Sequence, residues 1–243
     1  MGVQRRYLQA VLSVRTNGTD ARELTPSVLA AAAVAVLPVT AAGVSLNQPK
    51  LRVPLGWSSP DAAVAERQQT TLGDGPCLSA AATGRTVIAD ADDIAQQWPA
   101  YYAEIERRTP FRSVAALPLS AEGEPGLAAL NLYAERPDLG SILRLDEAET
   151  VAATVADLLF GMLDNLYDDD EQPLPAWIDE QPAIDRVAVW RAVGMMVSAS
   201  DVDLDDADAL ARLRAYAYSS DFTLDEAAAR LVDRQLSVHA VLA

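Results

Sequence analysis

The residues equipped for covalent or metal chemistry are few. Cys77 is the only cysteine and His239 the only histidine, and they lie 162 residues apart, so no Cys–His or Ser–His–Asp arrangement can be assembled. One cysteine excludes an internal disulfide. Histidine–cysteine metal spacing is absent from the sequence. The bend LGDGPC at Leu72–Cys77 has closely spaced glycines but lacks the lysine and spacing of a phosphate-cradling loop. Carboxylate pairs such as Asp92–Asp93 are too frequent in so acidic a chain to signal acid–base catalysis. No enzyme is expected. Cys77 sits just after Pro76 at a helix start, where the helix dipole favours a thiolate. The plainer reading is a small, soft core residue.

The elements around Cys77 follow from periodicity and from helix stop signals. VQRRYLQAVLSV forms a leading amphipathic helix with Tyr7, Leu8, Val11 and Leu12 on one side. Thr25 caps a second helix that Pro26 opens and Pro38 stops. Thr40–Leu46 and Leu51–Ser58 pair as strands, with Pro54 confining the second to an edge or bulge. Asp61 caps a helix towards Thr71, Gly73 and Gly75 bend the chain, and Gly84 closes the short helix begun at Pro76. Thr86–Ala89 is a short strand, and YYAEIERR a helix that ends before Pro110. Ser113–Leu119 and Gly126–Tyr133 form the clearest strand pair, and Asp146–Leu166 a long apolar-periodic helix.

The 243 residues suffice for a domain of about 150 residues plus a small one. Half of the residues are apolar, so a packed core is expected. The balance of 19 basic against 35 acidic residues leaves −16, which excludes bulk attraction to nucleic acid or anionic membrane. No leader peptide is recognised, and Val28–Leu37 is about half the length that spans a bilayer. A cytoplasmic location without membrane contact is expected.

The phrases LGDGPC, GRTVIADAD, WPAYY, RSVAALPL and GLAALNLY, in this order, resemble a GAF sensor domain over about residues 25–165. The stretch VAVWRAVGMMVSASDVDLDDADALARLRAYAYSSDFTLDEAAARLV at Val187–Val232 resembles the ANTAR module of bacterial antitermination regulators. The expected class is α+β: a GAF-like antiparallel sheet flanked by helices, then a small all-α three-helix ANTAR-like domain. The expected boundaries are a sensor at 1–167, an acidic proline-containing linker at 168–183 and the helical domain at 184–243. YDDDEQPLPAW marks that linker.

The resemblance implies an RNA-hairpin-binding regulator of transcription termination. The apolar faces of the first helix and of the long helix, large for a monomer, lead to the expectation of a homodimer formed through them. RNA contacts would come from Ala192 and Gly194, for close backbone approach, and from Arg214 on phosphate, with Arg191 and Arg212 as replacement charge. Val193 replaces the family's usual lysine, and Phe222 and Thr223 stand where its basic loop would be. Residues 173–243 carry six arginines against twelve acids, or −6. The bland alternative pairs Arg191, Arg212 and Arg214 with Asp203, Asp205, Asp206 and Asp208. Tyr216 and Tyr218 could stack on bases, although Tyr216 at helical spacing reads as core. GAF domains often enclose a small ligand, and here Trp57, Trp98, Tyr101, Ser113 and Asn131 would line its pocket. The other reading fills that space with side chains. No cofactor is expected, and the ligand, if any, is unnamed by the sequence. A protein-binding signalling adaptor that has lost RNA binding is the alternative function.

Overall fold

The computed structural model describes residues 2–17, 23–47, 52–121, 124–164, 181–199 and 204–242. Five strands form one sheet: β1 (Ala41–Asn47), β2 (Arg52–Trp57), β3 (Val87–Ala89), β4 (Ser113–Ala121) and β5 (Glu124–Ala134). Their order is β2-β1-β5-β4-β3, every neighbour antiparallel, as the alternating helices and strands predict. β2 is an outermost strand. Its register jumps from Val44↔Gly56 to Ser45↔Pro54, leaving Leu55 as the extra residue beside the proline.

Alternation along the strands divides the sheet into two different faces. Ala42, Val44, Leu117, Leu119, Leu130 and Leu132 point towards α1 (Val3–Asn17), α2 (Pro26–Val34) and α7 (Leu145–Asp164), forming the main core. Ala41, Val114 and Tyr133 point the other way, onto α3 (Pro60–Leu72), α5 (Ala91–Gln97) and α6 (Pro99–Arg108). Ala116 and Ala129 meet Cys77 and Ala80 of α4 (Pro76–Thr83) on that same side.

Local chemistry accounts for the helix ends. Thr25 Oγ1 accepts from Val28 N at 3.2 Å, capping α2. The cap of α3 is Ser59 rather than the expected Asp61, because Pro60 occupies the first helical position and moves the cap one residue earlier. Gly73 ends α3 in the left-handed conformation at φ 68°, a geometry that lacks a steric cost only for glycine. On α1 the expected apolar side divides: Tyr7 and Val11 are buried, whereas Leu8 and Leu12 face outward. Arg6 ties α1 to Glu147 of α7 at 2.9 Å. α5 was not expected; its start is held by a reciprocal Asp90–Asp93 capping box. α7 ends among the described residues at Asp164, so the predicted end at Leu166 and most of the predicted linker lie outside them.

The C-terminal region is helical: α8 (Gln181–Ala199), α9 (Asp206–Ser219), α10 (Leu224–Val232) and a short α11 (Val238–Leu242). Val189, Ala192, Met196, Leu210, Leu213, Leu224, Ala228 and Leu231 close a separate core, each leucine worth about 1.5–3 kcal/mol of burial. Thr223 and Glu226 cap α10 reciprocally, with Thr223 N donating to Glu226 Oε2 at 2.8 Å. α8 packs on β2, and α9 and α10 pack on α3, so the helical region sits against the sheet domain.

Candidate functional site

The face of the sheet covered by α3, α4 and α6 holds a buried polar cluster. Arg52 of β2 and Glu66 of α3 are both fully buried and paired through Arg52 Nη2. Arg52 Nε donates to Cys77 Sγ at 3.0 Å, and Nη1 donates to the Glu66 carbonyl at 2.9 Å. Glu66 Oε1 accepts from Tyr133 Oη at 2.6 Å and from Asn131 Nδ2 at 2.9 Å. Gln69 extends the cluster, accepting from Cys77 N at 2.8 Å and donating to Tyr133 Oη at 3.4 Å. Gly43 makes room: a Cβ there would lie 2.5 Å from Glu66 Oε1.

Electrostatics follow from burial and pairing. Burial alone would lower the Arg52 pKa, but Cys77 and Glu66 beside it outweigh that and hold it raised. Burial first, then the Glu66 carboxylate, pushes the phenol of Tyr133 well above the usual tyrosine range. The same two causes, in the same order, raise Tyr101. Asn131 Oδ1 and Tyr101 Oη are buried without a hydrogen bond, so the cluster retains unused polar capacity.

The predicted pocket residues occupy this neighbourhood unevenly. Trp98, Tyr101 and Asn131 are buried on the cluster's side of the sheet. Trp57 is half-buried with the Arg67 guanidinium 5.4 Å from its ring centre. Ser113 does not join them. Strand alternation turns it to the opposite face, where its Oγ donates to the Arg136 carbonyl at 2.6 Å. Arg52, Glu66 and Gln69, which sequence reasoning missed, fill the centre. Clefts among the described residues lie elsewhere. One of about 580 Å³ runs between β4 and α7, past Thr86, Leu117 and Glu149. Another of about 290 Å³ follows the α3–α9 seam, past Gly73, Arg214 and Tyr218. None of the five predicted residues lines either cleft.

In the helical region the five predicted RNA contacts do not form one surface. Ala192 is buried in the module's core, as is Val193, so a lysine at position 193 would bring its charge into that core. Arg191 and Gly194 are exposed on α8. Arg212 donates to the Leu242 carbonyl at 3.2 Å. Arg214 instead reaches the sensor, where Nε donates to the Thr70 carbonyl at 3.2 Å. Two residues apart on a helix, these side chains leave α9 on nearly opposite sides, which the tally of neighbouring arginines concealed. Among the ion pairs found for the described residues, none joins Arg191 or Arg212 to the aspartates at 205, 206 and 208. Sequence reasoning also missed Trp190, 42 % exposed, and Val187, 58 % exposed. The signal was available, since positions 187, 190, 191 and 194 share one helical face.

Polar contacts cross the seam between the sheet domain and the helical region. Leu224 N donates to Thr71 Oγ1 at 3.0 Å. Asp221 accepts from Arg107 Nη2 at 2.6 Å and from Arg108 Nη2, and its backbone is left-handed at φ 59°. Arg107 foremost, then both arginine charges, holds the Asp221 carboxyl below the usual carboxylate range. Among the described residues no helix is long and apolar enough to cross a membrane.

Comparison with known proteins bears on the sensor. No curated protein matches the chain. Among solved structures, the chain is similar to the GAF domain of a phosphoenolpyruvate-protein phosphotransferase from Coxiella burnetii, at 13% identity over 67% of this chain and 97% of that one (TM-score 0.45). It is similar to the corresponding Acinetobacter domain at 10% identity, 68% and 98% coverage, with TM-score 0.44. It is also similar to free methionine-R-sulfoxide reductase from Neisseria meningitidis at 17% identity, 68% and 95% coverage, with TM-score 0.43. A model of the GAF domain matches residues 18–159, more than half of the chain. With the five-stranded antiparallel sheet and its flanking helices, this makes the chain a member of the GAF domain family.

Proposed function

We propose that this chain is a non-enzymatic, cytoplasmic signal-responsive regulator whose GAF domain senses and whose C-terminal helical module delivers the output. The output is contact with an RNA hairpin loop that controls transcription termination, made by α8 through Arg191 and Gly194 of the five expected residues together with Trp190, without Ala192, Arg212 or Arg214. One observation carries this reading: Trp190, Arg191 and Gly194 share an exposed helical face. A tryptophan stacks on a splayed loop base for about 1–3 kcal/mol. The neighbouring guanidinium meets phosphate, and Gly194, where a Cβ would meet nothing within 4 Å, admits close backbone approach. One exposed cation contributes about one unit of salt slope, so binding against a chain of net −16 is weak and local.

Fluorescence anisotropy with hairpin-loop RNAs tests this. Trp190→Ala and Arg191→Ala should each weaken binding about ten-fold, by loss of stacking and of a phosphate contact. Equal binding by wild type and both variants overturns the RNA reading. A second reading, docking to another protein, is supported by the apolar Val187–Trp190 surface and by the net charge of −6 over residues 173–243. Under it, Trp190→Ala abolishes partner capture while RNA binding is absent throughout. A homodimer through α1 and α7 belongs to the proposal and is supported by outward Leu8 and Leu12. Sedimentation showing only monomer at high concentration overturns that part.

A further inference from the structure

We infer that the GAF domain holds the helical module in a latched position that withdraws Arg214 from the module's surface, and that release of this latch is the regulatory step. The inference rests on the reading of α8–α11 as the output module. Three contacts between the two parts converge on the region around Arg214. Arg214 Nε donates to the Thr70 carbonyl at 3.2 Å in the last turn of α3. A Cβ on Gly73 would lie 2.9 Å from Arg214 Nη1, so the glycine C-cap leaves the guanidinium room to lie this close. Leu224 N, at the start of α10, donates to the buried Thr71 hydroxyl at 3.0 Å. Asp221, in the turn between α9 and α10, is clasped by Arg107 and Arg108 of α6.

The physical character of the seam suits a contact that opens. The carbonyls at the end of α3 carry the negative pole of that helix, which attracts a guanidinium but leaves its charge available elsewhere at modest cost. Asp221 and Arg107 are largely exposed, so this part of the latch is weak and screened by salt. An open cleft of about 290 Å³ runs beside Arg214 and Tyr218, so the seam lacks the dense packing of either core. α3 also connects the latch to the sensor's interior. Glu66 sits in the buried cluster, its carbonyl accepts from Thr70 Oγ1 at 3.2 Å, and the Thr70 carbonyl then holds Arg214. A shift of α3 that re-pairs Glu66 therefore moves both ends together.

In the latched form a cation of the module is spent on the sensor. Released, it returns to the α9 surface as a second phosphate contact beyond Arg191. The experiment is arginine modification with phenylglyoxal on the full chain, read residue by residue by peptide mass mapping. In wild type, Arg214 should react roughly ten-fold more slowly than exposed Arg191, as a group that must wait for local opening. In Thr71→Val/Arg107→Ala/Arg108→Ala, the two rates should come within about three-fold, while buried Arg52 stays unreactive and reports an intact sensor. If Arg52 becomes reactive, the single Thr71→Val variant, with its intact Asp221 clasp, decides by the same ratio. Arg214 reacting as fast as Arg191 in wild type, or staying protected in a folded latch variant, overturns the inference. A parallel RNA titration separates the two readings. Tighter hairpin binding by the latch variant, removed by adding Arg214→Ala, supports both. Labelling that behaves as expected with no RNA bound by any form supports the latch and overturns the RNA reading alone.

Discussion

Arg52 and Glu66 meet as an ion pair with neither side chain reaching solvent, joining the outermost strand β2 to α3. Breaking such a pair on one side strands a charge in the interior, at about 3–5 kcal/mol. Arg52→Met should therefore bring the sensor close to its folding threshold. Arg52→Met/Glu66→Gln should recover much of that loss, because no lone charge remains. Urea denaturation followed by circular dichroism measures both. A single-variant loss under about 1 kcal/mol would contradict the described burial.

The glycine opposite this pair should be intolerant of the smallest side chain. Gly43 has an ordinary strand backbone, so Ala costs nothing in φ and ψ; its methyl meets the Glu66 carboxylate. Gly43→Ala should lose about 1–3 kcal/mol through overpacking, seen as a lower thermal midpoint. An unchanged midpoint would mean that Glu66 has room to move aside.

Alkaline pH should unfold the sensor cooperatively. Tyr133 is raised by burial and by Glu66, Tyr101 by burial and by Glu66, and Tyr7 by burial. Groups whose folded pKa lies above the unfolded value stabilise fully below the unfolded value, about 10 for tyrosine, and lose that contribution as pH rises towards the folded one. Stability should thus fall from about pH 10 upward. These three phenols should ionise only together with loss of the circular dichroism signal. Phenolate absorbance that rises fully while that signal persists would refute the assignment. Tyr133 also stacks on Phe111, with ring centres 5.1 Å apart, which adds to its protection.

The Asp221 clasp should have the opposite sign. Its folded pKa is depressed, so the clasp contributes above the usual carboxylate range and is lost as pH falls through the depressed value. NMR titration of the Asp221 carboxyl should give a midpoint below the ordinary aspartate value of about 3.9. In Arg107→Ala the midpoint should move up. A midpoint indifferent to Arg107 would leave Arg108 as the effective partner.

Most of the sheet and its helices were legible because they follow local rules. Pro26, Pro60 and Pro76 open helices, Gly73 and Gly84 close them, and Pro54 marks the edge strand, each through its own backbone geometry. The interior of the candidate site was not legible. Arg52 and Glu66 are the residue types expected in water, and only tertiary pairing of β2 with α3 makes their burial tolerable. Their trace in the sequence was faint: Ala62, Glu66, Gln69 and Thr70 share one face of α3, a polar run beside alanines. Ser113 begins β4 on the same face as Ala115 and Leu117, so strand alternation turns it away from the cluster. The arginines were misjudged for a related reason, since closeness along a helix is not closeness around it. Arg214 turned to α3 and Arg212 to α11, while Trp190 stood exposed unnoticed.

Among the described residues the bulged strand β2 is hydrogen-bonded to a neighbour on one side only, and α8 packs against it. A fragment cut after Asp164 keeps the five described strands yet loses the packing of α8 on the outermost one, whose open edge can then pair with its own copies. The sensor expressed by itself should tend to stick to itself. Its partnership with the helices downstream is thus part of what keeps it well behaved, quite apart from any message that passes between them.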